Sequence, residues 1–158
     1  MLPNPLHPAV VHFPVVLAFL LPLIAGGTMF AIRRGARIRR AWLLPLSFAA
    51  ALAASSWLAV ETGEDEEGKV EKVLVTEDPL SAHEDMAETF LSASAVLLLV
   101  ASAGLLGGIP GRAARVLTLT GSLVLVAGAA RVGHSGGELV YRYGAASAYS
   151  PVNAGVVK

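Results

Sequence analysis

The chain has no cysteine among its 158 residues. Disulfides, iron–sulfur clusters, thiolate metal sites, covalent c-type haem attachment and cysteine nucleophiles are excluded. Charge is scarce too, at 15% of residues against about 25% in an ordinary soluble domain. The 12 basic and 12 acidic residues cancel to zero, so the basic excess of a nucleic-acid binder is missing. No H-E-x-x-H and no phosphate-binding loop occurs, which leaves hydrolase chemistry little support. An accessory or electron-transfer role is expected rather than an enzyme acting by itself. What the chain does have is apolar surface: 54% hydrophobic residues and a mean hydropathy of +0.63.

The charges are confined to islands. Eleven of the 12 acids fall between Glu61 and Glu88. Arg33, Arg34, Arg37, Arg39 and Arg40 form one basic knot, and Arg112 and Arg115 a smaller one. Between the islands lie four apolar stretches; the first three reach the roughly 20 residues that a spanning helix needs, and the fourth does so only when counted over 113–133. They predict an all-α, antiparallel four-helix transmembrane bundle with helices over about 9–32, 41–60, 81–109 and 113–133. An outer acidic loop over 61–80 and an outer tail over 134–158 complete the single domain. The fourth helix includes Arg115 and Arg131 near its ends, where long side chains can snorkel. The first stretch has no basic residue before it and exceeds a 7–15-residue signal core, so it is expected to be a retained helix. Basic segments stay on the cytoplasmic side. The expected protein is therefore multi-pass in the bacterial inner membrane, in contact with the lipid bilayer, with both termini and the acidic loop periplasmic.

Two starts compete for the third helix. Ser81 and Glu84 have the form of a capping box, which would make Glu84 a cap. Asp78-Pro79 is the other signal. Tyr141, Tyr143 and Tyr149 suit interfacial anchoring in an otherwise irregular tail.

On this topology the four histidines, His7, His12, His83 and His134, share one membrane face. Imidazole is the natural ligand for haem iron or a metal ion in a cysteine-free chain. His7 and His12 are five residues apart, about 140° around a helix, so one straight helix does not aim both at one point. Pro8 fits a first helical turn, which leaves His7 free to turn inward. His134 is followed by Ser135, Gly136 and Gly137; glycines allow close approach of a planar ligand or another backbone. Arg131 can pair with an anionic group such as a haem propionate. Glu84, with Glu61, Glu88 and Glu138, offers carboxylates to a metal or to a histidine.

The segments LHPAVVHFP (6–14), TGEDEE (62–67), AHE (82–84) and GHSGGELVYRYG (133–144) resemble a bacterial four-helix integral membrane family of unknown function. The likeness covers nearly the whole chain. His7, His12, His83, His134, Gly136 and Gly137 fall on its motif positions. Relatives attached to cytochrome c-like modules imply redox surroundings, with a periplasmic cytochrome or other redox membrane subunits as partners.

Three functions follow in order. The first is haem b electron transfer at the periplasmic face. The second is binding of zinc, copper or non-haem iron by His7, His12, His83 and His134, with Glu84. The third is a non-catalytic structural subunit. For haem, the expected axial pair is His12 with His134. His7 and His83 are assigned to a second cofactor or to supporting hydrogen bonds.

Overall fold

The computed structural model describes residues 5–150, and no strand occurs among them. A single turn, α1 (His7–Val10), leads through Val11 into α2 (His12–Arg33). Then follow α3 (Ile38–Val70), α4 (Asp78–Ala103) and α5 (Gly108–Tyr141). Short 3-10 segments at Glu71–Val73 and Ala145–Tyr149 follow α3 and α5. Each long helix packs on the next, and α5 returns to α2, closing a ring. The brief links force neighbours to run antiparallel. All four helices are long and apolar enough to cross a membrane, and their outward sides carry large apolar residues such as Phe13, Leu23, Leu99 and Val124.

The buried positions alternate in steps of three and four. In α2 they include Pro14, Ala18, Leu21, Ala25 and Thr28, and in α3 Trp42, Pro45, Ala49, Leu52, Ser56 and Ala59. Leu80, Phe90, Ser94, Leu97 and Ala101 form the same stripe in α4; Gly111, Arg115, Thr118, Ser122, Leu125, Ala129 and Leu139 form it in α5. A 3.5-residue repeat keeps one seam facing its neighbours in coiled-coil fashion. The stripe is rich in small residues because lipid tails are as apolar as leucine: close backbone packing, not water exclusion, holds such helices together. The hydroxyls of Ser56, Ser94, Thr118 and Ser122 on it bond back to their own helices, as Ser56 does to the Leu52 carbonyl and Ser94 to that of Phe90.

The expected helix bounds are too short at the histidine end. At 1.5 Å per residue, α3 and α5 are each about 50 Å long, against a hydrocarbon core of about 30 Å. The segment expected as an acidic loop continues α3 to Val70. Helix-forming glutamates and the Glu66–Lys69 pair at 2.7 Å favour this. So does packing of Val70 and Leu74 on a small cluster of Leu80, Leu139 and Ala145. Helix α4 starts at Asp78 with Pro79 in its first turn; Ser81 and Glu84 lie inside it, so Glu84 is no cap. The tail is helical to Tyr141, and Ala145–Tyr149 folds back so that the Tyr149 hydroxyl donates to Glu66 at 2.7 Å. Burial and that carboxylate push the Tyr149 phenol above its ordinary range. The rest of the expected tail, 151–158, lies outside the described residues.

At the arginine end the Trp42 indole is fully buried and donates to the Ala101 carbonyl at 2.8 Å. Arg115 does not snorkel. It is buried, and its guanidinium donates to the carbonyls of Gly104 and Leu106 at 2.6 and 3.2 Å. A cation there satisfies the open carbonyls at the end of α4 and complements its dipole.

Candidate functional site

All four histidines lie at the bundle end opposite the arginine knot, but they do not share one environment. The stripe of α2 runs back from Pro14 through Val11 to His7, leaving His12 off it. His12 is exposed. On α4 the stripe passes from Leu80 through His83. On α5 it passes from Ala129 through Val132 to Gly136 and Leu139, leaving His134 outside; the His134 side chain is 78% exposed. It stands 3.9 Å from Glu138, which also pairs with Arg142 at 3.1 Å. The structure therefore turns the expected pair, His12 and His134, outward.

His7 and His83 are brought together instead. Their ring centres are 6.4 Å apart and their planes stand at 89°. His7 Nδ1 lies 2.9 Å from the Ala59 carbonyl and 3.4 Å from Thr62 Oγ1. A carbonyl only accepts, so Nδ1 carries the hydrogen. His83 Nδ1 lies 2.8 Å from Ser135 Oγ, which itself lies 2.9 Å from the Val132 carbonyl. The one serine hydrogen satisfies Val132, so the contact to His83 is also a bond only if His83 Nδ1–H donates. Both neutral imidazoles then have the same tautomer, and neither Nε2 bonds another of the described residues.

The backbone makes room for this pair. A Cβ at Gly63 would meet His7 Cε1 at 3.3 Å, and one at Gly136 would meet His83 Cε1 at 3.1 Å. Nothing lies within 4 Å of a Cβ at Gly137. Gly136→Ala should therefore crowd His83 and destabilise, whereas Gly137→Ala should gain the roughly 0.5–1 kcal/mol by which alanine exceeds glycine in a helix. Opposite movements of the unfolding midpoint in detergent check this; equal gains would contradict the His83 contact.

The histidines occupy a layer between two apolar groups. Along α4 and α5 the main core, including Phe90, Leu125 and Ala129, precedes this level on one side. Leu80, Leu139 and Ala145 close the other, with Val70 and Leu74 packed on them. Of the remaining expected residues, Arg131 is exposed at this end. Glu84 is half-buried and feels the charges of Glu67, Glu71, Asp85 and Glu88. Among the described residues, no three histidine, aspartate or glutamate side chains gather as a metal-holding group.

Residues 133–137, GHSGG, match the letters of the serine-hydrolase pattern G-x-S-x-G. Their context does not. That pattern works on a sharp strand-to-helix turn, and here it lies within α5. Helical amides are committed to helical carbonyls and cannot form an oxyanion hole. Ser135 is instead the acceptor that orients His83. Ser135, Thr62, Ala59 and Gly63 were not singled out in the sequence; continuing the three–four spacing of each helix toward its outer end would have found Gly63 and paired it with His7.

Over residues 3–148 the chain matches the family described as "Predicted membrane protein (DUF2231)", and it belongs to that family. No curated protein and no solved structure matches it.

Proposed function

We propose that this multi-pass membrane protein binds haem b for electron transfer, and that His7 and His83 would hold it. The observation that carries the reading is the matched pair of half-buried imidazoles, each donating through Nδ1 and each with Nε2 free. With ring centres 6.4 Å apart, the two imidazoles lie close enough for one bound group to be held by both. Two ligands satisfy a haem, whereas structural zinc takes four. A haem held there supplies reversible one-electron transfer.

The protein's own groups prepare the pair. Acceptance of the Nδ1 hydrogens by Ala59 and Ser135 fixes each ring and raises the basicity of its other nitrogen. Gly63 and Gly136 allow α3 and α5 to close on the rings. The outer apolar cluster limits water at the histidine layer. Arg131 is the exposed cation available to a propionate.

The arginine knot supports a topology in which the opposite, histidine-bearing end faces the periplasm. A periplasmic cytochrome or another redox membrane subunit is the fitting electron partner. A reporter active only in the periplasm should work when fused after Lys158. Activity from a fusion within 34–37 would reverse the topology.

The visible spectrum of detergent-purified protein tests the cofactor. A Soret band that moves on dithionite reduction is expected. A colourless protein with stoichiometric zinc, copper or iron would replace haem by a metal ion, and neither result would leave a structural subunit.

A further inference from the structure

A groove of about 510 Å³ runs along the seam of α2 and α3 at the arginine end, far from the histidines. Ile24, Gly27, Thr28 and Ala31 of α2 line it, with Arg40, Ala41 and Leu44 of α3. Three observations bear on what fills it. Most of the wall is apolar, and it lies on helices long and apolar enough to span a membrane, so the bilayer is the medium that reaches it. Arg40 lies on its wall beside Arg33, Arg34, Arg37 and Arg39, with no acidic residue between Met1 and Val60 to offset them. Thr28 is only 7% exposed, and its hydroxyl makes no bond among the described residues. No fully buried polar side-chain atom lacks a partner among the described residues. The Thr28 hydroxyl therefore keeps its access to the groove that it lines.

We infer that this seam is a binding site for an anionic phospholipid. An acyl chain lies along Ile24, Ala31 and Leu44, and the notch at Gly27 admits it close to the backbone. Arg40 takes the headgroup phosphate as a charge-assisted partner. The Thr28 hydroxyl donates to an ester oxygen deeper in the seam. Basic pockets between spanning helices on the cytoplasmic side recognise anionic headgroups by this chemistry. A zwitterionic phosphatidylcholine offers the same chains and phosphate but adds a choline cation that the arginine knot repels.

Native mass spectrometry of the detergent-purified protein, titrated with phosphatidylglycerol, phosphatidylcholine or inorganic phosphate, tests the site. Phosphatidylglycerol should be retained preferentially and inorganic phosphate not at all. Arg40→Gln should weaken phosphatidylglycerol by about fivefold, the effect of one basic charge near an anionic headgroup, and weaken phosphatidylcholine less, because loss of the arginine also relieves its repulsion of choline. Gly27→Leu should displace both lipids while the protein still folds, because a Cβ there meets nothing within 4 Å. Equal retention of the two lipids by the parent protein would overturn the proposal. So would phosphatidylglycerol retention that survives Gly27→Leu, which marks lipid held by charge alone, or retention of free phosphate equal to that of the lipid.

Discussion

His7→Ala and His83→Ala should each abolish the low-spin haem spectrum, while His12→Ala and His134→Ala leave it in place. On the proposed assignment, the first two remove a haem ligand outright. The second two remove side chains that face outward. Ser135→Ala is the graded companion. It leaves both ligands present but deletes the acceptor of His83 Nδ1–H, and such supporting groups contribute about 10–100-fold in metal affinity. Absorbance at equal protein concentration after haem titration measures all five variants. Loss of the spectrum in His12→Ala or His134→Ala, with retention in His83→Ala, would return the site to the outward pair.

Gly104→Ala should be among the most damaging small changes in the bundle. Its Cβ would fall on Trp42 Nε1 and lie 2.9 Å from the Ala101 carbonyl. The indole is fully buried and has nowhere to retreat without giving up its bond to Ala101. Overpacking costs about 1–3 kcal/mol, and a buried donor left unpaired about 1–3 kcal/mol more. The Gly111 Cβ would meet the Leu106 carbonyl, which is backbone and cannot swing aside, so Gly111→Ala should be comparably severe. Gly27→Ala, which meets no neighbour, is the control. Unfolding midpoints in detergent should fall for the first two and rise slightly for the third, as for Gly137→Ala; a Gly104→Ala midpoint equal to the control would contradict the packing described at this end.

The four helices were legible because long apolar runs separated by charge islands leave few alternatives. The extramembrane ends were less so. Gly63 and Gly68 in an acidic run suggest a loop, yet Val70 and Leu74 supply the contacts that keep α3 helical onto the Leu80–Leu139 cluster. A general contrast of apolar against polar does not reveal the inward face of a helix in lipid, since both faces are apolar. The three–four spacing does. Counting back from Pro14 reaches His7 and skips His12; counting forward from Ala129 reaches Gly136 and skips His134. Clustering of all four histidines at one end was readable from topology. The division into two that face each other and two that face out rests on that finer periodicity. The acceptors at Ala59 and Ser135 needed coordinates, because one of them is a backbone carbonyl and leaves no mark in the sequence.

The reduction potential of a ligand-swap series tests the central claim most directly. Replacing one axial histidine of a haem by methionine keeps a ligand but raises the potential. Spectroelectrochemical titration of the parent protein, His83→Met and His134→Met should give a higher potential for His83→Met and an unchanged one for His134→Met. A potential that moves with His134→Met and stays fixed in His83→Met would contradict the assignment of His7 and His83 as the ligand pair.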